Sequence, residues 1–188
     1  MSCAEAELRA LRGGIVRCRR CRLGAQRRHA VPGEGPAEAR LLVVGEAPGA
    51  AEDASGAPFR GAAGAFLDDL LAEAGMDRAG IFVTNCVKCR PPANRTPRAD
   101  ELATCRTAWL VPQIEAVDPR LIVLLGRTAL GAVLGERRPL REVHGRPVRQ
   151  GARVVLPTYH PAAGMRFPPI GARMRQDFAA LRRAAGLP

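Results

Sequence analysis

The chain has 188 residues, 47% of them hydrophobic and 25% charged, which is the make-up of a folded domain and excludes a disordered or fibrous chain. No apolar run approaches the roughly 18 residues of a membrane span, and the mixed, acidic start Ser2-Cys3-Ala4-Glu5-Ala6-Glu7 has no signal core, so a cytoplasmic protein is expected. The net charge of +11 suits a polyanionic partner such as nucleic acid, and all the basic residues except Lys88 are arginine, whose planar fork matches phosphate oxygens.

Residues 4–12 read as a short helix, followed by Cys18-Arg19-Arg20-Cys21 set among further arginines. A loop over residues 31–36 leads to Leu41-Leu42-Val43-Val44, a branched apolar run with the character of a strand buried on both faces. That run enters Gly45-Glu46-Ala47-Pro48-Gly49, a turn framed by glycine and proline, and then the acidic pair Glu52-Asp53. Gly56-Ala57-Pro58-Phe59-Arg60-Gly61 is a second turn-rich stretch with one aromatic. Residues 62–74 carry Phe66, Leu67, Leu70 and Leu71 on one helical stripe that Gly75 ends.

Ile81-Phe82-Val83-Thr84-Asn85-Cys86 is the second strand, and a proline-bearing loop covers residues 87–95. Thr96-Pro97 has the cap-then-proline form of a helix start, opening a long helix to about residue 117. Residues 121–126 form the third strand and 127–134 the helix after it, with a polar loop and room for a short hairpin over 137–150. Residues 154–160 form the fourth strand, which Pro157 places at an edge or marks with a bulge. A basic helix over residues 171–185 closes the chain. The alternation predicts one α/β domain over residues 1–188, with a mainly parallel four-stranded sheet sandwiched by helices.

In such a sheet the first, second and fourth strands each deliver a polar residue at or just past the C-terminal end: Glu46, Asn85 and His160. Those ends share one edge, where open α/β folds bind ligands, and Phe59 lies on a nearby loop. A carboxylate, an amide and an imidazole on three strands make a site candidate that none of them makes alone.

Six cysteines without a secretion signal point to metal or catalysis rather than to disulfides. Cys18 and Cys21 form a half-site whose spacing lets both thiolates reach one metal. Two completions are open. Cys86 with Cys89 would make a paired four-cysteine zinc site. Cys89 with Cys105 would make the ligand set of an iron–sulfur cluster, leaving Cys86 packed in the sheet. Cys3 and Cys86 are read as buried or incidental thiols.

Four stretches resemble the successive motifs of the family 4 uracil-DNA glycosylases, the iron–sulfur members of their superfamily. They are Gly45-Glu46-Ala47-Pro48-Gly49, Gly56-x-Pro58-Phe59-x-Gly61, Thr84-Asn85-x-Val87-Lys88-Cys89-Arg90-Pro91-Pro92-x-Asn94-Arg95, and His160-Pro161-Ala162-Ala163. The resemblance runs from about Cys18 to the last helix. It implies a three-layer α/β/α sandwich and monofunctional hydrolysis of the N-glycosidic bond of uracil flipped out of single- or double-stranded DNA. It also implies a structural 4Fe-4S cluster on Cys18, Cys21, Cys89 and Cys105, with residues 1–35 as a cluster-binding arm; a monomer with no membrane attachment is expected. Gly45, Glu46, Ala47, Phe59, Asn85 and His160 would hold the uracil, with Glu46 and His160 catalytic and Glu52 or Asp53 sharing the work of Glu46. The family's segment after the histidine reads differently from Gly164-Met165-Arg166-Phe167, so Met165 and Arg166 are the expected DNA contacts. The competing reading is a non-catalytic zinc-ribbon module that binds nucleic acid, which leaves Glu46, Asn85 and His160 without a joint purpose.

Overall fold

A computed structural model describes residues 2–184. Helix α1 spans Cys3–Arg17 and α2 Leu23–Gln26, followed by strand β1 at Leu41–Gly45. Helices α3 (Ala50–Ser55) and α4 (Ala62–Glu73) lead to β2 at Ile81–Asn85. Helices α5 (Ala99–Cys105) and α6 (Val111–Val117) precede β3 at Leu121–Leu125. Helices α7 (Arg127–Leu134) and α8 (Leu140–Val143) precede β4 (Val148–Gln150) and β5 (Arg153–Thr158), and α9 (Pro161–Arg166) and α10 (Pro168–Ala184) follow.

The strands form one sheet in the order β2-β1-β3-β5-β4, with only β4 antiparallel. Strand side chains alternate between two cores. Leu41, Val43, Val83, Val123 and Leu156 meet α4 and α10 through Leu67, Leu71, Met174 and Phe178. Leu42, Val44, Phe82, Ile122 and Val155 meet the opposite layer through Ile114, Val117 and Leu130. This continuous apolar character on both faces is why the runs lack a polar alternation and why the result is three layers, α/β/α.

The sheet has five strands, not four. Strand β4 comes from the polar loop expected over residues 137–150, and it pairs with β5 from Val148↔Val155 to Gln150↔Arg153. Its three residues are exposed, so no hydrophobic pattern announced it. Strand β5 is therefore not the edge. Pro157 lies past the end of β4, where its carbonyl accepts from the Gly145 N–H at 2.9 Å and the N–H that proline lacks would have faced no strand. At the other edge, Glu34 bridges Val83 and covers β2.

Two helices differ from expectation. Helix α1 runs on to Arg17 through Gly13 and Gly14, because a side chain at Gly14 would sit 2.7 Å from the Trp109 ring. The long helix starts at Ala99 rather than at Thr96-Pro97, since the Glu101 carboxylate accepts the Arg98 N–H at 2.7 Å. A π-helical turn at Arg106–Leu110 then separates α5 from α6. Helix α10 begins at Pro168, and the end expected at Ala185 lies outside the described residues.

Candidate active site

The parallel register brings Gly45 opposite Asn85 and sets the ends of β1, β2, β3 and β5 along one edge. The turns leaving these strands enclose a pocket of about 400 Å3, a size suited to a small ligand. Glu46, Ala47, Phe59, Asn85 and His160 all line it. Asn85 is buried, and among the described residues its side-chain amide makes no hydrogen bond, so both its donor and its acceptor capacity are left for a ligand.

Gly45 makes this arrangement possible. A Cβ there would overlap Asn85 Oδ1 and lie 2.7 Å from Phe59 Cζ, so only glycine lets amide and ring meet over the strand end. Phe59 itself has φ of +53°, an unfavourable backbone conformation for an aromatic residue that the surroundings must enforce. Two neighbours enforce it. The Phe59 carbonyl sits where a Cβ of Gly64 would be, and Glu52 Oε1 accepts the N–H groups of Arg60 and Gly61 at 2.8 and 3.0 Å. Glu52 Oε2 takes the Gly49 N–H at 2.9 Å. Glu52 is thus the clamp between two pocket loops, and Asp53, which accepts the Arg28 N–H at 2.9 Å, ties the N-terminal arm to α3.

His160 is the residue before α9, and its Nδ1 accepts the Ala162 N–H at 3.2 Å. An acceptor at Nδ1 places the proton on Nε2 of a neutral ring. Burial lowers the His160 pKa below its ordinary value of 6.5, opposed by the charges of Glu46 and Glu52. The Phe59 and His160 rings lie 6.3 Å apart and 28° from parallel. Glu46 Oε2 accepts a hydrogen bond from Thr128 Oγ1 at the start of α7.

Thr128 was not singled out from the sequence, and Asn94 and Arg95, part of a family-like motif, line the pocket without a role in it that the sequence foretold. The third strand, however, ends at the same edge, and Gly126-Arg127-Thr128 directly after it carried the signal. Met165 and Arg166 lie on α9 outside the pocket; Met165 is 47% exposed, and Phe167 beside it is 48% exposed with the Arg166 guanidinium 5.3 Å from its ring. Gly164 is packed against Phe66 and Met174 instead.

Cys18, Cys21, Cys89 and Cys105 line a second, apolar cavity. Trp109 Nε1 donates to Cys18 Sγ at 3.3 Å and Arg27 Nη1 to Cys89 Sγ at 2.9 Å. Burial pushes the Cys105 thiol up to about 11 and also raises Cys89, so each is a poor thiolate until a cation shares the cavity. Cys86 belongs elsewhere: it is fully buried with Leu42, Val44 and Leu110, and its pKa is pushed to about 12. The zinc-ribbon alternative gains no support, since Cys86 is absent from this cavity. Cys3 is exposed. Among the described residues no helix is long and apolar enough to cross a membrane.

The profile of the uracil DNA glycosylase superfamily matches residues 32–182. The type-4 uracil-DNA glycosylase of Pyrobaculum aerophilum is 42% identical over 181 residues, covering 92% of this chain and 92% of that protein. Its counterpart in Sulfurisphaera tokodaii is 38% identical over 96% of this chain and 86% of its own length. In Thermotoga maritima a type-4 enzyme is 43% identical over 79% of this chain and 78% of its own. A pocket on the strand ends, four cysteines beside it and likeness along nearly the whole length agree: the chain belongs to the type-4 family of the uracil-DNA glycosylase superfamily.

Proposed function

We propose that this protein is a DNA repair hydrolase that removes uracil from DNA by cleaving its N-glycosidic bond, leaving an abasic site. The observation that carries the reading is the Asn85 amide, buried in the lining of the pocket with its hydrogen-bonding groups unused. Its NH2 can donate to uracil O4 and its carbonyl can accept from N3–H. Cytosine presents the reverse pattern and would leave buried groups unpaired. A base inside a duplex cannot reach such a pocket, so the nucleotide is flipped out and stacks on Phe59.

Bond cleavage puts negative charge on the departing uracil and positive charge on the sugar. The Nε2–H of neutral His160 is the donor for uracil O2, assisted by the Ala47 N–H, which has no backbone partner among the described residues. Glu46, held by Thr128, is the carboxylate that faces the sugar and its attacking water. Glu52 and Asp53 are assigned to the scaffold, because their oxygens hold backbone N–H groups. Met165 and Arg166 contact the DNA, and exposed Phe167 joins them as an apolar wedge for the vacated stack.

Cys18, Cys21, Cys89 and Cys105 would hold a 4Fe-4S cluster, and the fit rests on four thiols around one cavity with N–H donors already aimed at two sulfurs. Held there, such a group would tie the arm of residues 1–35 to the loop after β2, a structural role, since hydrolysis transfers no electrons. We take the enzyme to act as a cytoplasmic monomer on single- or double-stranded DNA. The test is release of free uracil from both kinds of strand, with iron and sulfide assayed in the same preparation. Uracil released from both strands while cytosine stays in place is expected; no uracil release overturns the activity, and a zinc-loaded, iron-free protein overturns the cluster.

A further inference from the structure

Lys88 is the only lysine of the chain and, among the described residues, the largest fully buried side chain, 1% exposed. An ammonium is almost never buried without a partner, because its desolvation must be offset. Its Nζ donates to Thr84 Oγ1 at 2.7 Å and to the backbone carbonyl of Asn85 at 2.8 Å, both uncharged oxygens. Among the described residues it forms no ion pair with a carboxylate. Lys88 also lines the four-cysteine cavity, and its backbone N–H hydrogen-bonds Cys105. One side chain therefore links the cavity to the peptide that carries the pocket amide. Ala47 makes a parallel link, lining the pocket while packing on the apolar cluster of Cys89 and Cys105.

We propose that Lys88 is a positioning residue for base recognition: its ammonium holds the Asn85 carbonyl and takes its counter-charge from the four-cysteine cavity, so that filling the cavity and reading uracil are coupled. The proposal rests on the assignment of the pocket to uracil and of the cavity to an iron–sulfur cluster. A group ligated by four thiolates is a net anion, which supplies the charge that the buried ammonium otherwise lacks. Replacing that ammonium removes both the hold on β2 and the balancing charge.

The full chain is compared with Lys88→Met, Thr84→Val, Asn85→Ala and the Lys88→Met/Asn85→Ala pair. Two quantities are read: inhibition by free uracil, and the rate of iron release into a chelator. Lys88→Met is expected to weaken uracil inhibition about tenfold, the size of a lost hydrogen bond from a charged donor, with KM for DNA unchanged. It should also release iron faster than the wild type. In the Asn85→Ala background the further loss should vanish, which a general weakening of the fold would not produce. Thr84→Val removes one acceptor without touching charge and should weaken uracil inhibition with iron release at the wild-type rate; it carries the test should Lys88→Met not fold. Wild-type uracil inhibition in Lys88→Met or Thr84→Val, or an undiminished effect on top of Asn85→Ala, overturns the positioning role. Iron release at the wild-type rate in Lys88→Met overturns the coupling. A wild-type protein without iron or without uracil inhibition overturns the underlying assignment instead, and is recognised before any variant is made.

Discussion

His160 shows how a single residue takes its protonation state from the backbone around it. The Ala162 N–H occupies Nδ1, and burial disfavours the imidazolium, so the ring enters the pocket neutral with Nε2–H forward. A lowered pKa means that charging of His160 falls below pH 6.5, and that step would break its bond to Ala162. The kcat profile should therefore stay flat from mildly alkaline pH down through 6.5 and fall only in more acidic solution, as followed by single-turnover excision. His160→Ala should lower kcat by about 10²–10³, the loss typical of one donor to a developing oxyanion, with KM little changed. Glu46, Asn85 and His160 were legible because each stands directly after an apolar run whose end the fold dictates. Glu52 was not legible as a clamp, since its partners are backbone N–H groups of Arg60 and Gly61 that no side-chain pattern encodes. The left-handed Phe59 was equally hidden, because glycines elsewhere, at positions 45 and 64, create the room it uses.

At the scale of elements, the segment from Arg95 to Val117 combines local signals that compete. Thr96-Pro97 is a helix start by its own chemistry, yet Glu101 takes the Arg98 N–H and pairs with Arg95 at 2.7 Å, moving the first turn to Ala99. Glu101 is buried, and its bonds to Arg95 hold its pKa at about 2 against an ordinary 4.5. A carboxylate with a depressed folded pKa contributes stability that is present above pH 4.5 and lost as pH falls toward about 2. Glu101→Gln should accordingly lower stability at neutral pH and flatten the acid limb between those values, read as Tm against pH. An unchanged acid limb would show that the pair contributes nothing to folding. The π turn that follows places Trp109 against Cys18 and Gly14, a long-range contact invisible to helical periodicity. Strand β4 was legible only as room for a short hairpin, for the opposite reason: short and exposed, it is held by its hairpin partner rather than by an apolar face.

For the whole molecule, the parallel sheet does the organising. Its register alone brings residues 46, 85, 128 and 160 to one edge, and the loop after β2 runs from that edge to the cysteine cavity. The layer architecture was readable from the alternation of apolar runs and helical stripes, and the pocket from the ends of those runs. Cysteine spacing alone left Cys86 and Cys105 as alternatives, whereas the place of Cys86 at the end of an apolar strand marked it as a packed thiol, and packing puts it in the sheet core apart from Cys89 and Cys105. The net charge of +11, carried almost wholly by arginine, is consistent with a polyanion as substrate. The most direct test of the account is strand scission at abasic sites after incubation with uracil-containing DNA and alkali. The wild-type protein should cut at the uracil position and leave the cytosine control whole, and Asn85→Ala combined with His160→Ala should abolish the cut. An intact uracil strand after wild-type treatment, or full scission by the double variant, would contradict it.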